Sequence, residues 1–156
     1  MLLVDVFSRE HVLVGTTARN TPGVVAEMVR RLVESGRLSA ESEASLVKNL
    51  LAREAMGSTA LGNGIAFPHC RTSLTDRFIG VIAVDRDGID FEALDRQPVH
   101  VVFLLLGPLG EREQHFDILG RIGSLGRDKM IRMQLLGCRS PDEVIEVLEE
   151  IDASDK

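Results

Sequence analysis

Val99 to Leu106 reads VHVVFLLL, an apolar run broken only by His100. Pro98 precedes it and Gly107-Pro108 ends it. A run this short and this apolar reads as a strand buried on both faces. Such a strand needs a helical layer on each side of its sheet. Phe78 to Val84, FIGVIAV, is a second strand rich in β-branched residues. Between the two, Asp87-Gly88 is a turn signal, and Ile89-Asp90-Phe91 reads as a short returning edge. Val12-Leu13-Val14 is a third, short strand.

The flanking segments carry helical spacing. Thr21-Pro22 is a helix start, with a hydroxyl N-cap and proline at the first helical position. Val25, Met28, Val29, Leu32 and Val33 form its apolar stripe, and Gly36 ends it. Ser39 caps a second helix whose buried face is Leu46, Val47, Leu50 and Leu51; Gly57 closes it. A third helix from about Glu111 buries Ile118, Leu119, Ile122 and Leu125, and the glycines at 120, 123 and 126 permit close packing on the sheet. Lys129 to Leu136 is a short amphipathic piece. Ser140-Pro141-Asp142-Glu143 is a capping box opening a last helix that buries Val144, Val147, Leu148 and Ile151; Ala153 to Lys156 reads as a frayed tail. The pattern predicts an α/β chain: a three-layer α/β/α arrangement, a mixed central sheet flanked by helices, in one domain over residues 1–156.

The chemistry concentrates from Gly57 to Cys70, GSTALGNGIAFPHC. Gly57, Gly62 and Gly64 allow positive φ and close approach of backbone to a ligand. Ser58, Thr59 and Asn63 add donors. Ile65-Ala66-Phe67 reads as an anchoring strand, and Pro68 stiffens the backbone before His69. A neutral imidazole is a good nucleophile near pH 7, and a nest of amides suits an anion. The combination suggests a histidine that meets a phosphoryl group, with Thr59, Gly62, Asn63 and Gly64 as phosphate binders. A glycine-rich turn before a strand is also common without any ligand. Arg53, in the last turn of the second helix, can reach a phosphate with two parallel N–H donors; spacing alone favours its complementing the helix C-terminus. His115 faces inward near the start of the third helix, where a buried core histidine is the ordinary reading. His11 and His100 read as strand-end residues.

The totals bound the function. The chain has 156 residues, 44% hydrophobic and 27% charged, as in an ordinary globular domain. A net charge of −6 disfavours nucleic acid, and six Phe with no Trp or Tyr leave no stacking platform. Two cysteines imply no disulfide framework and fit a reducing compartment. The start MLLVDVFSRE lacks the pattern of a signal peptide, and no apolar run is long enough to span a bilayer. The expectation is a cytoplasmic protein with no membrane insertion.

Arg53-Glu54-Ala55-Met56-Gly57-Ser58-Thr59, then Leu61-Gly62-Asn63-Gly64 and Ile65-Ala66-Phe67-Pro68-His69, resemble the active-site signature of a known family. It is that of the enzyme IIA domains, fructose–mannitol class, of the phosphoenolpyruvate-dependent phosphotransferase system. The run is most similar to the stand-alone nitrogen-type members. The resemblance covers nearly the whole chain and implies the same three-layer fold. It implies that His69 accepts a phosphoryl group from a small HPr-like phosphocarrier protein. It also implies that His115 is a second active-site histidine, that Arg53 helps form the phosphoryl site, and that no metal or cofactor is needed. The phosphoryl group would pass to a IIB partner, or its charge would be sensed by regulatory target proteins. Phe67 and Cys70 depart from the family pattern, where a smaller aliphatic residue and a glycine or alanine are usual.

Two other readings stay open. One is a non-catalytic anion- or protein-binding module of the same fold. The other is a zinc site from His69, Cys70 and His115, for which neighbours on one strand point to opposite faces and make poor co-ligands. The phosphoryl reading requires the imidazoles of His69 and His115 to face one another.

Overall fold

The computed structural model describes residues 1–155. In chain order its elements are α1 (Leu3–Val6), β1 (Val12–Val14), α2 (Thr21–Glu34), α3 (Glu43–Ala55), β2 (Ile65–Ala66), β3 (His69–Thr72), β4 (Ile79–Ile89), β5 (Val99–Pro108), α4 (Arg112–Arg127), α5 (Lys129–Gly137) and α6 (Pro141–Ser154). Short 3-10 turns at Arg9–His11 and Ala40–Ser42 precede β1 and α3. The sheet runs β1-β4-β5-β2, and β3 lies along β5 beyond β2. The β4–β5 pair is antiparallel, and β1 on β4, β2 on β5 and β3 on β5 are parallel, so the sheet is mixed.

Period-two alternation on the long strands explains the layers. Val102, Leu104 and Leu106 of β5 join Val81 and Ala83 of β4 beneath Val25, Met28, Leu32, Leu46 and Leu50 of α2 and α3. Val101, Phe103 and Leu105 turn the other way, onto Ile118 and Ile122 of α4, Leu135 of α5, and Val144 and Leu148 of α6. Each face of β5 is thus covered by its own core, as the sequence VHVVFLLL requires.

Several local expectations change. Asp87-Gly88 makes no reversal: β4 runs through to Ile89, with an irregularity between Val84 and Ile89 where it pairs with Val99. The buried Asp85 carboxylate holds that irregularity in line, accepting from the amides of Asp87 and Gly88, from Thr16, and from Arg19. The N-cap of α2 is Asn20 rather than Thr21; its Oδ1 accepts from Gly23 N–H at 3.0 Å. Ser39 opens the 3-10 turn, and α3 begins at Glu43. Gly126 packs on Ile65, but Gly120 and Gly123 have nothing near them, so close packing explains only one of the three. Ser140 caps α6 as expected, while Glu143 reaches back to the amide of Arg139. The helix continues to Ser154, and Asp155 pairs with Arg121, so the frayed tail is not seen up to that point; Lys156 lies outside the described residues. The unexpected α1 is held from far away: Asp152 of α6 accepts from the amides of Leu3 and Val4.

Gly80 of β4 makes room for the N-terminal segment. A Cβ there would overlap the ring of Phe7, with Cζ at 2.9 Å. That ring is fully buried and lies edge-on to Phe103 at 5.6 Å. Gly80→Ala is expected to lower stability by about 1–3 kcal/mol through overpacking. A urea midpoint equal to that of the parent chain would contradict this.

Candidate functional site

The site is built outward from a buried carboxylate. Glu54, in the last turn of α3, is 8% exposed. It accepts from the amide of Thr59 at 2.8 Å, from Thr59 Oγ1 at 2.9 Å and from Ser58 Oγ at 3.3 Å. Thr59 Oγ1 in turn accepts from the amide of Phe67 at 3.0 Å. The carbonyl of Phe67 then accepts from Nδ1 of His69 at 2.8 Å. A carbonyl oxygen has no proton to give, so Nδ1 carries the ring hydrogen and Nε2 of the neutral ring holds a free lone pair.

His69 is half-buried, opposite Leu105 on β5. Burial pushes its pKa down from the ordinary histidine value; the Phe67 carbonyl opposes this and the nearby Arg53 charge reinforces it. The ring is therefore neutral at pH 7. Its centroid lies 5.6 Å from that of His115, the rings inclined at 57°. Phe67 lies near-parallel to His69 at 6.2 Å. His115, in the first turn of α4, is 4% exposed. Burial first, then the charges of His69 and Arg71, lower its pKa to about 4.

A cleft of about 360 Å³ opens over the two rings, lined also by Arg53, Arg71 and Arg112. Arg53 Nη1 donates to the carbonyl of Gly57 at 3.1 Å, so this side chain both closes its own helix end and edges the cleft. Arg71 Nη1 reaches the Leu109 carbonyl at 3.4 Å, and Arg112 lies over the Phe116 ring at 5.5 Å. Among the described residues none of the three forms an ion pair with a carboxylate. No side chain caps the N-terminus of α4, which leaves its first amides available to an anion. Three unpaired guanidiniums and a helix N-terminus around a neutral imidazole suit a phosphoryl group. Leu109 and Phe116, 57% and 56% exposed, form an apolar rim. A larger hollow of about 700 Å³ at Arg19, Gly88 and Arg96 holds no nucleophile, and its Arg19 is already paired with Asp85.

The structure brings Arg53, His69 and His115 together. It does not bring the glycine loop to them. Gly62, Asn63 and Gly64 have φ of 151°, 64° and 73° and reverse the chain into β2, while Gly57 has no positive φ. The Gly64 carbonyl accepts from the amides of His100 and Val101, at the far end of β5 from Leu105. The four residues from Ile65 to Pro68 carry the chain along β5 before His69 is reached. Gly62, Asn63 and Gly64 therefore shape the strand entry and do not line the cleft. The Thr59 donors are likewise turned to Glu54. Cys70 packs against the α2–α3 core, and burial pushes its thiol up to about 11, away from the thiolate a metal would need. His11 is buried between Ser8 and Ser35, and His100 donates from Nδ1 to the Asp85 carbonyl. Sequence reasoning missed Arg71 and Arg112. Both had a signal: Arg71 is two residues from His69 on one strand, and Arg112 is one turn before His115 on one helix.

Fold and cleft together define a class: three-layer α/β/α domains with two facing imidazoles at the end of a parallel strand pair. The chain belongs to the family described as phosphoenolpyruvate-dependent sugar phosphotransferase system, EIIA 2, whose model matches residues 5–151. It is 34% identical over 149 residues, 95% of each chain, to a nitrogen regulatory protein of Bradyrhizobium diazoefficiens. It is 30% identical over 152 residues to the PTS system fructose-specific EIIABC component of Bacillus subtilis, of which it spans only 24%. The crystal structure of nitrogen regulatory protein IIA-Ntr from Neisseria meningitidis superposes with a TM-score of 0.83 at 29% identity, covering 92% of this chain and 97% of that one. Among the described residues, no helix is long and apolar enough to cross a membrane.

Two outcomes follow from the geometry. Glu54→Ala leaves the buried Thr59 donors without an acceptor and is expected to cost about 1–3 kcal/mol; unchanged unfolding in urea would show that the carboxylate is dispensable. His115 binds its proton less readily in the folded chain, pKa about 4, than at the ordinary 6.5 of an unfolded one. Its contribution is complete above pH 6.5 and is lost as pH falls towards 4. His115→Gln is expected to show a smaller loss of thermal midpoint over that range, and an identical loss in both proteins would refute the assignment.

Proposed function

We propose that this chain is a phosphoryl carrier whose acceptor atom is Nε2 of His69. The observation that carries the reading is the Phe67 carbonyl, which occupies Nδ1 and leaves the Nε2 lone pair free beside Arg53, Arg71 and Arg112. In the transfer, Nε2 attacks phosphorus and forms a P–N bond. The P–N bond of the donor phosphohistidine breaks, and the donor ring recovers its lone pair. Such a transfer needs mainly positioning and charge stabilisation. The guanidiniums and the helix N-terminus supply both, with His115 as a neutral donor to a phosphoryl oxygen. No metal or cofactor enters these steps.

The donor is an HPr-like phosphocarrier protein. The exposed Leu109 and Phe116 at the rim support a protein donor, because such apolar side chains suit a docking surface around a shared phosphoryl group. The acceptor downstream is a IIB partner or a regulatory target that senses the added charge of about −2. The similarity along 95% of each chain to a nitrogen regulatory protein supports the regulatory fate. The Bacillus subtilis relative, whose name joins A, B and C components in one chain, supports the transport fate. The reading places the protein in the cytoplasm, where the phosphocarrier would be.

Incubation with phosphoenolpyruvate, enzyme I and the carrier is expected to add one acid-labile phosphoryl group, and His69→Ala to take up none. Label retained by His69→Ala moves the acceptor elsewhere. A folded parent chain that takes up none would leave an anion- or protein-binding module.

A further inference from the structure

The geometry points to Gly107 as a positioning residue for this site: by lacking a side chain it leaves the space in which the His115 ring lies, Nδ1 turned into the sheet and Nε2 left to serve the cleft. The inference rests on the phosphoryl reading given above and adds a residue to it.

Gly107 is buried near the end of β5, opposite Arg71 of β3. A Cβ at this position would overlap Nδ1 of His115 and lie 3.1 Å from its Cε1 and 2.8 Å from Cε1 of Phe78. Neither neighbour is a loose chain end. Phe78 is 5% exposed, His115 is 4% exposed, and the two rings pack with centroids 6.0 Å apart. Any side chain at 107 therefore pushes the imidazole out of its seat, and the open direction is the cleft and His69.

The seat also sets the tautomer. Nδ1 of His115 is the single buried side-chain nitrogen or oxygen without a hydrogen-bond partner among the described residues. A buried N–H left unpaired is rarer in proteins than an under-used acceptor, so the dry face against Gly107 favours Nδ1 as a bare lone pair. The ring hydrogen then sits on Nε2, on the cleft side, where a phosphoryl oxygen can accept it. A second proton would have to enter the dry face. It would also face His69 and Arg71 from β3, Arg53 from α3 and Arg112 from α4. The ring thus remains a neutral donor. Packing at a glycine accomplishes what a hydrogen bond from Nδ1 to Phe67 accomplishes for His69, with the opposite tautomer. The two facing nitrogens are then a lone pair on His69 and an N–H on His115.

The test has two arms. Long-range proton–nitrogen spectra of the parent chain at pH 7 are expected to show His69 protonated on Nδ1 and His115 on Nε2, with the His115 pattern unchanged down to pH 5. A proton on Nδ1 of His115 overturns the proposal. In Gly107→Ala the initial rate of phosphoryl uptake from charged carrier is expected to fall about tenfold or more, since a displacement of about 1 Å can cost up to 10²-fold. The label should still reach one group per chain on His69, and only the His115 nitrogen shifts should move, not those of His11 and His100. Uptake at the parent rate by folded Gly107→Ala overturns the proposal. If Gly107→Ala does not fold, Gly107→Ala with Phe78→Leu removes the Phe78 overlap and keeps the one with His115. This pair is expected to fold and remain slow, and a parent-like rate again refutes the positioning role. Absence of label in the parent chain would instead defeat the phosphoryl reading, while the tautomer spectrum would still judge the seat at Gly107.

Discussion

One buried carboxylate organises the segment that carries His69 into its cleft. Glu54 cannot leave water without partners, because an ionised group in a dry site is costly unless it is hydrogen-bonded. It takes its partners from Ser58 and Thr59, three and four residues beyond its helix, and so folds the chain back at once. Thr59 passes the constraint to the amide of Phe67, and the Phe67 carbonyl passes it to His69. The free ring nitrogen of His69 is thus selected by a chain of hydrogen bonds that starts in a helix and crosses a loop. Charge-assisted bonds are about twice as strong as neutral ones, which suits Glu54 as the fixed end.

The second constraint is the register of β5. Ile65 lies opposite Val101 and His69 opposite Leu105, so the chain entering β3 runs alongside β5 towards its C-terminal end. That end is also where β5 turns into α4, which carries His115 in its first turn. The two histidines meet because a parallel strand and a strand-to-helix turn share one edge of the sheet. Ligand sites of open α/β sheets gather at the carboxyl ends of strands for the same reason. On the other side of β5, β4 pairs with it up to Ile79 opposite Leu106, and the Phe78 ring just before that pair packs against His115.

Much of this was legible before any coordinates. VHVVFLLL places a doubly covered strand in the chain, and the helical stripes supply its two covering layers. The grouping of Arg53, His69 and His115 in one cleft was legible through a resemblance rather than through spacing, since spacing alone reads each of them as ordinary. The glycine loop misled. Its positive φ values are real, but Gly62, Asn63 and Gly64 use them to turn into β2 beside His100. Asp87-Gly88 misled in the same way, because the buried Asp85 supplies acceptors that keep the strand running. In both cases a local preference for a special backbone was read correctly, but a hydrogen-bond partner outside the glycine segment decided its use. The α1 turn, held by a carboxylate about 150 residues away, left no local trace.

The sequence by itself determined the layers, the five longer helices and the presence of a stiffly held histidine, because these follow from alternation, helical period and backbone freedom within a few residues. Only the tertiary structure decided which end of β5 carries the cleft with the two histidines. It alone showed that Arg71 and Arg112 join Arg53 there, and which nitrogen of each imidazole is free. Those outcomes depend on strand register and on atoms brought together from well-separated parts of the chain. A pattern of apolar residues sets which face a side chain takes, but it does not say which residue it will stand opposite.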